Sequence, residues 1–517
     1  MLGLLRVARN AIWPHPFKFT LEYAEANDSG SNPIVDMIRA HCPDLSGANA
    51  PPQPTRWLPS GHAQTMYSAV GDFSKVDEVE YKRKVFLTPD GGTVAVDIGC
   101  ANTPVTSAQL YSASKTADLE SSLLLLTNMF PSSPMIGMGF SLGGAILSKY
   151  FGEVGKKTPF IGGVAVGTPF SLEETSMALE SSYMSLVYSY AMGRNLMNLL
   201  RRHVDTLSLW PEFWEPLETV FGEKISPKKD APVAEPAKDG PPKGRMRFVD
   251  HYAVRHVGGL RSPYGEFPLE SALAYYRHAS ATKYLTNIAR PLLAVNADDD
   301  PIVPAHALTT LRKELKSNPN VVLAHTQCGG HLGWFATSAG TRWVHNPVNQ
   351  YISALFERFA APDCPHGATG LGSGGPSAAR WKQSTVDKQK VNVELLPASA
   401  LPNVLPGVTS KTHEKEDVPQ ESKGEPMHAW LLTQILQHLP LVHPKDSPIR
   451  LAQENPEPIE QGEVLRLTLY HDALRPEIGY IELPEDVNVG GNGSLIQGSA
   501  SGKEGLAEGS GAKIAGL

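Results

Sequence analysis

The sequence has little cysteine. Only Cys42, Cys100, Cys328 and Cys364 occur among 517 residues. No pair forms a C-x-x-C, which excludes a zinc ribbon and a thioredoxin-type redox motif. Cysteines this sparse do not make a disulfide framework, which fits a reducing compartment. A run of ~20 uninterrupted apolar residues is also missing, so no membrane-spanning helix is expected. Nor is there a basic excess: Lys+Arg number 46 against 53 Asp+Glu, a formal net charge of −7. That balance leaves no nucleic acid among the expected partners, since phosphate neutralisation needs surplus cations. The chain shows no internal repeat. Met1–Trp13 carries Arg6 and Arg9 among apolar residues but lacks a long apolar core and an A-x-A cleavage site. Secretion is therefore not expected, and a cytoplasmic location is. Such a short basic amphipathic start can rest on a membrane surface or lipid droplet. The blander alternative is a small helix that packs on the domain or frays.

What is present is an ordinary apolar fraction, 41%, enough for a sizeable core. The 46 glycines and 43 prolines are unevenly placed. Residues 26–54 are rich in Asn, Ser, Gly and Pro and read as a loose connection, with order beginning near Arg56. Tyr81–Leu87 and Thr93–Ile98 flank Pro89-Asp90-Gly91-Gly92, the signal of a β-hairpin. Thr116–Phe130 reads as a helix, Pro134–Met138 as a strand, Ala145–Phe151 as a helix and Phe160–Val166 as a strand. Leu292–Asn296 and Val321–Thr326 read as strands around a helical run at Leu308–Leu315. This alternation predicts a parallel α/β sheet covered on both faces.

Residues 170–290 interrupt the rhythm. Glu173–Arg202 is helical in pattern, and Trp210, Phe213 and Trp214 add aromatic surface. Pro227–Arg245 reads as a disordered Pro/Lys/Asp-rich loop. Beyond Phe359 the composition turns to linker through 426, with a helix candidate at His428–Leu439. Val464–Tyr470 and Tyr480–Leu483 are strands that can pair. The last ~30 residues read as disordered. The expected division is an extension over 1–54, core over 55–169, a helical cap over 170–290 with the loop 227–245, core again over 291–360, and a mostly disordered tail over 361–517.

The sharpest chemical signal is Gly139-Phe140-Ser141-Leu142-Gly143-Gly144. It follows an apolar strand and opens a helix, the context a G-x-S-x-G nucleophile turn requires. The turn holds Ser141 Oγ at the C-terminal edge of the sheet. The helix start behind it offers unpaired N–H groups, with the Leu142 N–H as an oxyanion donor. The competing reading is a glycine-rich strand-to-helix turn without chemistry.

A serine hydroxyl needs a positioned base. With such a turn the chain order is serine, acid, histidine. The strand Leu292–Asn296 runs into Asp298-Asp299-Asp300-Pro301. Asp300 is the preferred acid and Asp299 the alternative; a turn-capping acid cluster is the bland reading. The strand Val321–Thr326 runs into Cys328-Gly329-Gly330-His331-Leu332-Gly333-Trp334. His331, flanked by residues without obstructing bulk, is the preferred base. His325 lies within the strand pattern and is the weaker candidate. Cys328 has no adjacent basic partner to activate it and reads as a packed thiol.

These residues resemble the α/β-hydrolase superfamily. Within it the chain is similar to the subfamily of bacterial YheT-type esterases, plant embryogenesis-associated hydrolases, and fungal monoacylglycerol lipases and medium-chain fatty-acid ethyl ester synthase/esterases. The text that carries this is Arg56-Trp57-Leu58-Pro59-Ser60-Gly61-His62-Ala63-Gln64-Thr65, Leu110-Tyr111-Ser112-Ala113 with Asp118-Leu119, Gly139–Gly144, Asn296–Pro304 and Gly329–Trp334. It covers about residues 55–360. The resemblance implies Ser141 as nucleophile, Asp300 as charge-relay acid and His331 as base. It implies a lipid ester substrate of monoacylglycerol or short to medium acyl type, with water or an alcohol as acyl acceptor. It implies no cofactor and no metal.

One stretch departs from the pattern. Between the hairpin and the nucleophile turn the fold needs a strand, an oxyanion loop, a helix and another strand, about fifty to seventy residues. Ser141 lies only 49 residues past Gly92, and the His-Gly oxyanion segment is absent there. The join between Ile98 and Gly99 therefore reads as the loss of two central strands and a helix, taking the second oxyanion donor with it. Such a loss costs roughly 3–4 kcal/mol of transition-state stabilisation, or 10²–10³ in rate. The expectation is an esterase triad in a chain of poor activity or stability, with a non-catalytic interaction module as the rival.

Overall fold

The computed structural model describes residues 16–25, 31–71, 73, 82–87, 93–98, 109–130, 133–208, 210–228, 231–259, 266–336, 341–359, 391–395, 465–471, 479–482, 487–489 and 495–497. The central sheet is built from β1 (Phe19–Tyr23), β4 (Met135–Phe140), β5 (Phe160–Val166), β6 (Leu292–Ala297) and β7 (Val321–Thr326), in the order β1-β7-β6-β5-β4. The last four are parallel, and β1 closes the far edge antiparallel to β7. Strands β5 and β6 are buried along their whole length. Their continuous apolar runs follow from being covered on both faces.

Side chains alternate between the two faces. Val164, Val166, Leu293 and Val295 point into a core shared with α1 (Pro33–His41), Trp343 and α10 (His345–Phe359). Ala165, Leu292, Ala294 and Leu323 point into a second core with α4 (Leu142–Val154) and Leu308, Leu311 and Leu315 around α9 (Thr309–Glu314). Between β5 and β6, α5 (Leu172–Leu179), α6 (Tyr183–Arg202), α7 (Trp214–Phe221) and α8 (Ala272–Ala279) follow the break in the rhythm. Phe213, Leu217, Phe248 and Tyr276 of this segment form a third apolar cluster.

Two expectations need correction. The loose connection over 26–54 contains α1, started by Asn32, whose side chain accepts from the N–H groups of Ile34 and Val35. Its apolar residues Ile34, Val35, Met37 and Ile38 are buried, so burial overrides the polar composition around it. The loop 227–245, expected to be disordered, is described except at 229 and 230. Buried Glu218 organises its start, accepting from the N–H groups of Ile225, Ser226 and Ala234.

The hairpin forms between β2 (Lys82–Leu87) and β3 (Thr93–Ile98). It joins a second antiparallel sheet, β3-β2-β10-β9-β8, with tail strands β8 (Val391–Leu395), β9 (Leu465–His471) and β10 (Gly479–Glu482). The expected pairing of the two tail strands is present between β9 and β10. A further tail pair joins Val487–Val489 to Leu495–Gln497. The helix candidate at His428–Leu439 lies outside the described residues.

Candidate active site

The nucleophile turn joins β4 to α4. Ser141 sits there with φ 48° and ψ −120°, a conformation that costs a non-glycine residue energy. The turn closes tightly because Gly139 has no side chain: a Cβ there would lie 2.6 Å from the Gly143 carbonyl oxygen. The Ser141 N–H donates to the Val166 carbonyl of β5 at 2.8 Å, extending the strand ladder through the turn. Leu142 opens α4, so its N–H belongs to the first helical turn and has no intrahelical acceptor.

Asp300 lies in the turn after β6. Its Oδ1 accepts from the N–H groups of Ile302 at 2.7 Å and Val303 at 2.9 Å. Its Oδ2 lies 2.7 Å from His331 Nδ1, and His331 Nε2 lies 2.8 Å from Ser141 Oγ. A carboxylate can only accept, so Nδ1 carries the proton and Nε2 is left to accept from the serine hydroxyl. Both Asp300 and His331 are 1% exposed. The structure thus brings Ser141, His331 and Asp300 into one hydrogen-bonded chain from the ends of β4, β7 and β6.

The other candidates go elsewhere. Asp299 Oδ1 accepts the Gly330 N–H at 2.9 Å, so this acid braces the histidine loop rather than the imidazole. Burial, with the Asp300 charge adding to it, pushes its carboxyl up to about 6. His325 Nδ1 lies 3.0 Å from Asp298 Oδ2 and its Nε2 3.0 Å from Glu22 Oε1. Arg312 joins both acids, so His325 belongs to an ion-pair cluster on β1 and β7. Cys328 is buried, and burial raises its thiol well above the ordinary range.

The histidine loop is itself strained. Among the described residues only Ser141, Leu332 and Trp334 adopt positive φ without being glycine. All three belong to the nucleophile turn or the loop that carries His331. The Trp334 indole N–H donates to Thr326 Oγ1 at 2.9 Å, which anchors the end of that loop in the core.

One neighbouring pair was not foreseen from sequence. On α2 (Gly61–Val70), His62 Nδ1 lies 2.9 Å from the Tyr188 hydroxyl of α6. Burial lowers the His62 imidazole while the Asp300 charge opposes it. Burial and then the same charge push the Tyr188 phenol up to about 12. The segment around His62 was visible in the sequence; its partner on a distant helix was not.

Among the described residues, no group of three or more His, Cys, Asp or Glu could hold a metal ion. No described helix is long and apolar enough to cross a membrane.

No family model matches the chain. It is 30% identical over 260 residues to a Saccharomyces cerevisiae protein named monoacylglycerol lipase, covering 50% of this chain and 51% of that protein. It is 29% identical over 264 residues to an abhydrolase domain-containing protein of Dictyostelium discoideum, covering 50% and 58%. It is 31% identical over 264 residues to the embryogenesis-associated protein EMB8 of Picea glauca, covering 50% of each.

The fold is that of an α/β-hydrolase.

The chain spans about half the length of these curated relatives. In an α/β-hydrolase the strand before the nucleophile turn has parallel neighbours on both sides. Here β4 is the last strand of its sheet, and among the described residues nothing pairs with its outer edge. Met138 and Phe140 on β4 are 41% and 48% exposed. No strand or helix is described between Ile98 and Ala117. Among the described residues, no strand follows β3 before β4.

Proposed function

We propose that the chain is a serine ester hydrolase acting on lipid-type carboxylic esters through an acyl-enzyme. The observation that carries this is the hydrogen-bonded chain from Asp300 through His331 to Ser141. The monoacylglycerol lipase relative supports the lipid-ester class, with monoacylglycerols or short to medium acyl esters as substrates. Ser141 Oγ attacks the acyl carbonyl as His331 Nε2 takes its proton. The Leu142 N–H donates to the oxygen that gains charge. The tetrahedral species collapses, and His331 returns the proton to the leaving alcohol. Water then attacks the acyl-enzyme by the same route in reverse. An alcohol in its place gives ester synthesis.

The outer edge of β4, unpaired among the described residues, favours a second reading, a hydrolase-fold chain with impaired catalysis or an interaction role. A fluorophosphonate probe separates the two. Labelling of the full chain that Ser141→Ala abolishes, with release of fatty acid from monoacylglycerol, is the result expected. A folded chain that stays unlabelled overturns the enzyme reading.

A further inference from the structure

His331 is placed by a loop that cannot hold itself. Leu332 and Trp334 both adopt positive φ, so its backbone depends on outside contacts. Asp299, Thr326 and Arg342 supply some of these, and a further set comes from one face of α2. Gly61, Gln64, Thr65 and Ser68 are spaced i, i+3, i+4 and i+7, a single stripe along a helix. Thr65 Oγ1 accepts the His331 N–H at 2.8 Å and donates its own hydroxyl hydrogen to the Gly61 carbonyl at 2.7 Å. Gln64 Oε1 accepts the Phe335 N–H at 3.2 Å. Ser68 Oγ donates to the Leu332 carbonyl at 2.9 Å. Gly330 packs directly against the Gly61 carbonyl, where any Cβ would collide. Four successive stripe positions therefore meet the loop that carries the imidazole.

We propose that α2 is a clamp for the histidine loop and that Thr65 is the positioning residue for His331. Thr65 touches neither substrate nor the reacting atoms. It acts by fixing the His331 backbone, and through it the imidazole that spans Asp300 and Ser141. Gln64 and Thr65 are fully buried, so their hydrogen bonds are not exchanged for water. A histidine loop free to shift by a fraction of an ångström loses one of its two imidazole contacts. The inference rests on the ester-hydrolase reading and names a determinant of that site.

The test compares Thr65→Val, Thr65→Ser and Ser68→Ala in the full chain. Rates of fluorophosphonate labelling and the kcat and KM for a soluble short-chain ester are measured well below each variant's Tm. Thr65→Val keeps the shape and removes the acceptor. Its labelling rate and kcat should fall roughly ten- to hundredfold with KM nearly unchanged. Thr65→Ser restores the acceptor and should return to within about threefold of the parent. Ser68→Ala removes one of two donors to the Leu332 carbonyl, the other being Arg342 Nε at 3.0 Å, and should slow labelling by roughly two- to fivefold. If Thr65→Val does not fold, Ser68→Ala and the near-normal rate of Thr65→Ser carry the test. A parent chain that labels, with Thr65→Val or Ser68→Ala labelling equally fast, overturns the clamp alone. A Thr65→Ser variant as slow as Thr65→Val also overturns it. A folded parent that does not label overturns the hydrolase reading and the role of Thr65 with it.

Discussion

Replacing Asp300 by Asn separates electrostatics from shape at the candidate triad. Two backbone N–H groups, from Ile302 and Val303, point at Asp300 Oδ1. An asparagine keeps its amide oxygen there, because the opposite orientation would set its NH₂ against two donors. Its NH₂ then faces His331 Nδ1, at the 2.7 Å position now held by Oδ2. Nδ1 must accept, so the imidazole proton moves to Nε2 and points at Ser141 Oγ. The base is lost while the turn survives. A wrong tautomer of this kind costs about 10⁴ in kcat, or roughly 5.5 kcal/mol. Asp299→Asn is the matched control. Its amide oxygen can still accept the Gly330 N–H; the N–H groups of Gly329 and Gly61 lose a charged acceptor, but the imidazole is not among its partners. Asp299→Asn should therefore stay within about tenfold of the parent. The assay is the second-order rate of fluorophosphonate labelling at pH 7.5, a chosen condition, with Tm recorded for each variant. Asp300→Asn labelling within about tenfold of the parent would refute the assignment. A larger loss in Asp299→Asn than in Asp300→Asn would transfer the role to Asp299.

Two further perturbations test the cap segment. Asp250 is buried and accepts the Tyr276 hydroxyl at 2.5 Å. Burial pushes its carboxyl up to about 7 against that hydrogen bond. The folded state then holds a proton that the unfolded state has released. Stability should fall as pH rises from about 4 to about 7 and change no further through this group. Asp250→Asn should remove that slope, read as the pH dependence of the Tm difference between variant and parent; an unchanged slope would refute it. Burial opposes ionisation of Glu218, but the backbone N–H groups of Ser226 and Ile225, the Ser226 hydroxyl and Lys224 outweigh it and hold the carboxyl down to about 2. Glu218→Ala should release the loop after Ile225 and speed tryptic cleavage at Lys228 by roughly tenfold. Equal cleavage rates would show that the loop is held by something else.

The elements legible in the sequence were those with a local signature. The apolar runs at Phe160–Val166 and Val321–Thr326 match β5 and β7 to the residue because both strands are buried on two faces. Gly139–Gly144 and Gly329–Trp334 announced two sharp turns through their glycines. The N-terminal strand β1 was missed because Phe-Thr-Leu-Glu-Tyr is short, and its strand partner among the described residues lies some 300 residues later in β7. The stripe Gly61, Gln64, Thr65 and Ser68 was missed for a related reason. A helix face normally shows itself by apolar residues, and this one is polar because it satisfies the backbone of a loop. Between Asp299 and Asp300 the sequence left a choice, since both follow the same strand. Only the direction of each carboxylate distinguishes them: one meets the Gly330 N–H, the other the imidazole.

The position of the gap in the sheet decides which part of the chemistry it threatens. The side chains of the candidate triad come from the ends of β4, β6 and β7, and β5 joins these without interruption. Nucleophile, base and acid therefore need nothing from beyond the outer edge of β4. The acceptor side of the reaction does, because the carbonyl oxygen develops its charge beside the nucleophile turn. There the first N–H of α4 is in place, and among the described residues no strand neighbours the outer edge of β4. Removing one oxyanion donor costs roughly 10²–10³ in rate and leaves the serine–histidine pair intact. The same edge exposes Met138 and Phe140 next to strand hydrogen-bonding groups that no described strand pairs, the usual template for unwanted strand pairing. A polar residue at Phe140 should thus improve solubility without repairing turnover. If the expected strand loss accounts for the open edge, a donor-bearing strand added beside β4 should repair both at once.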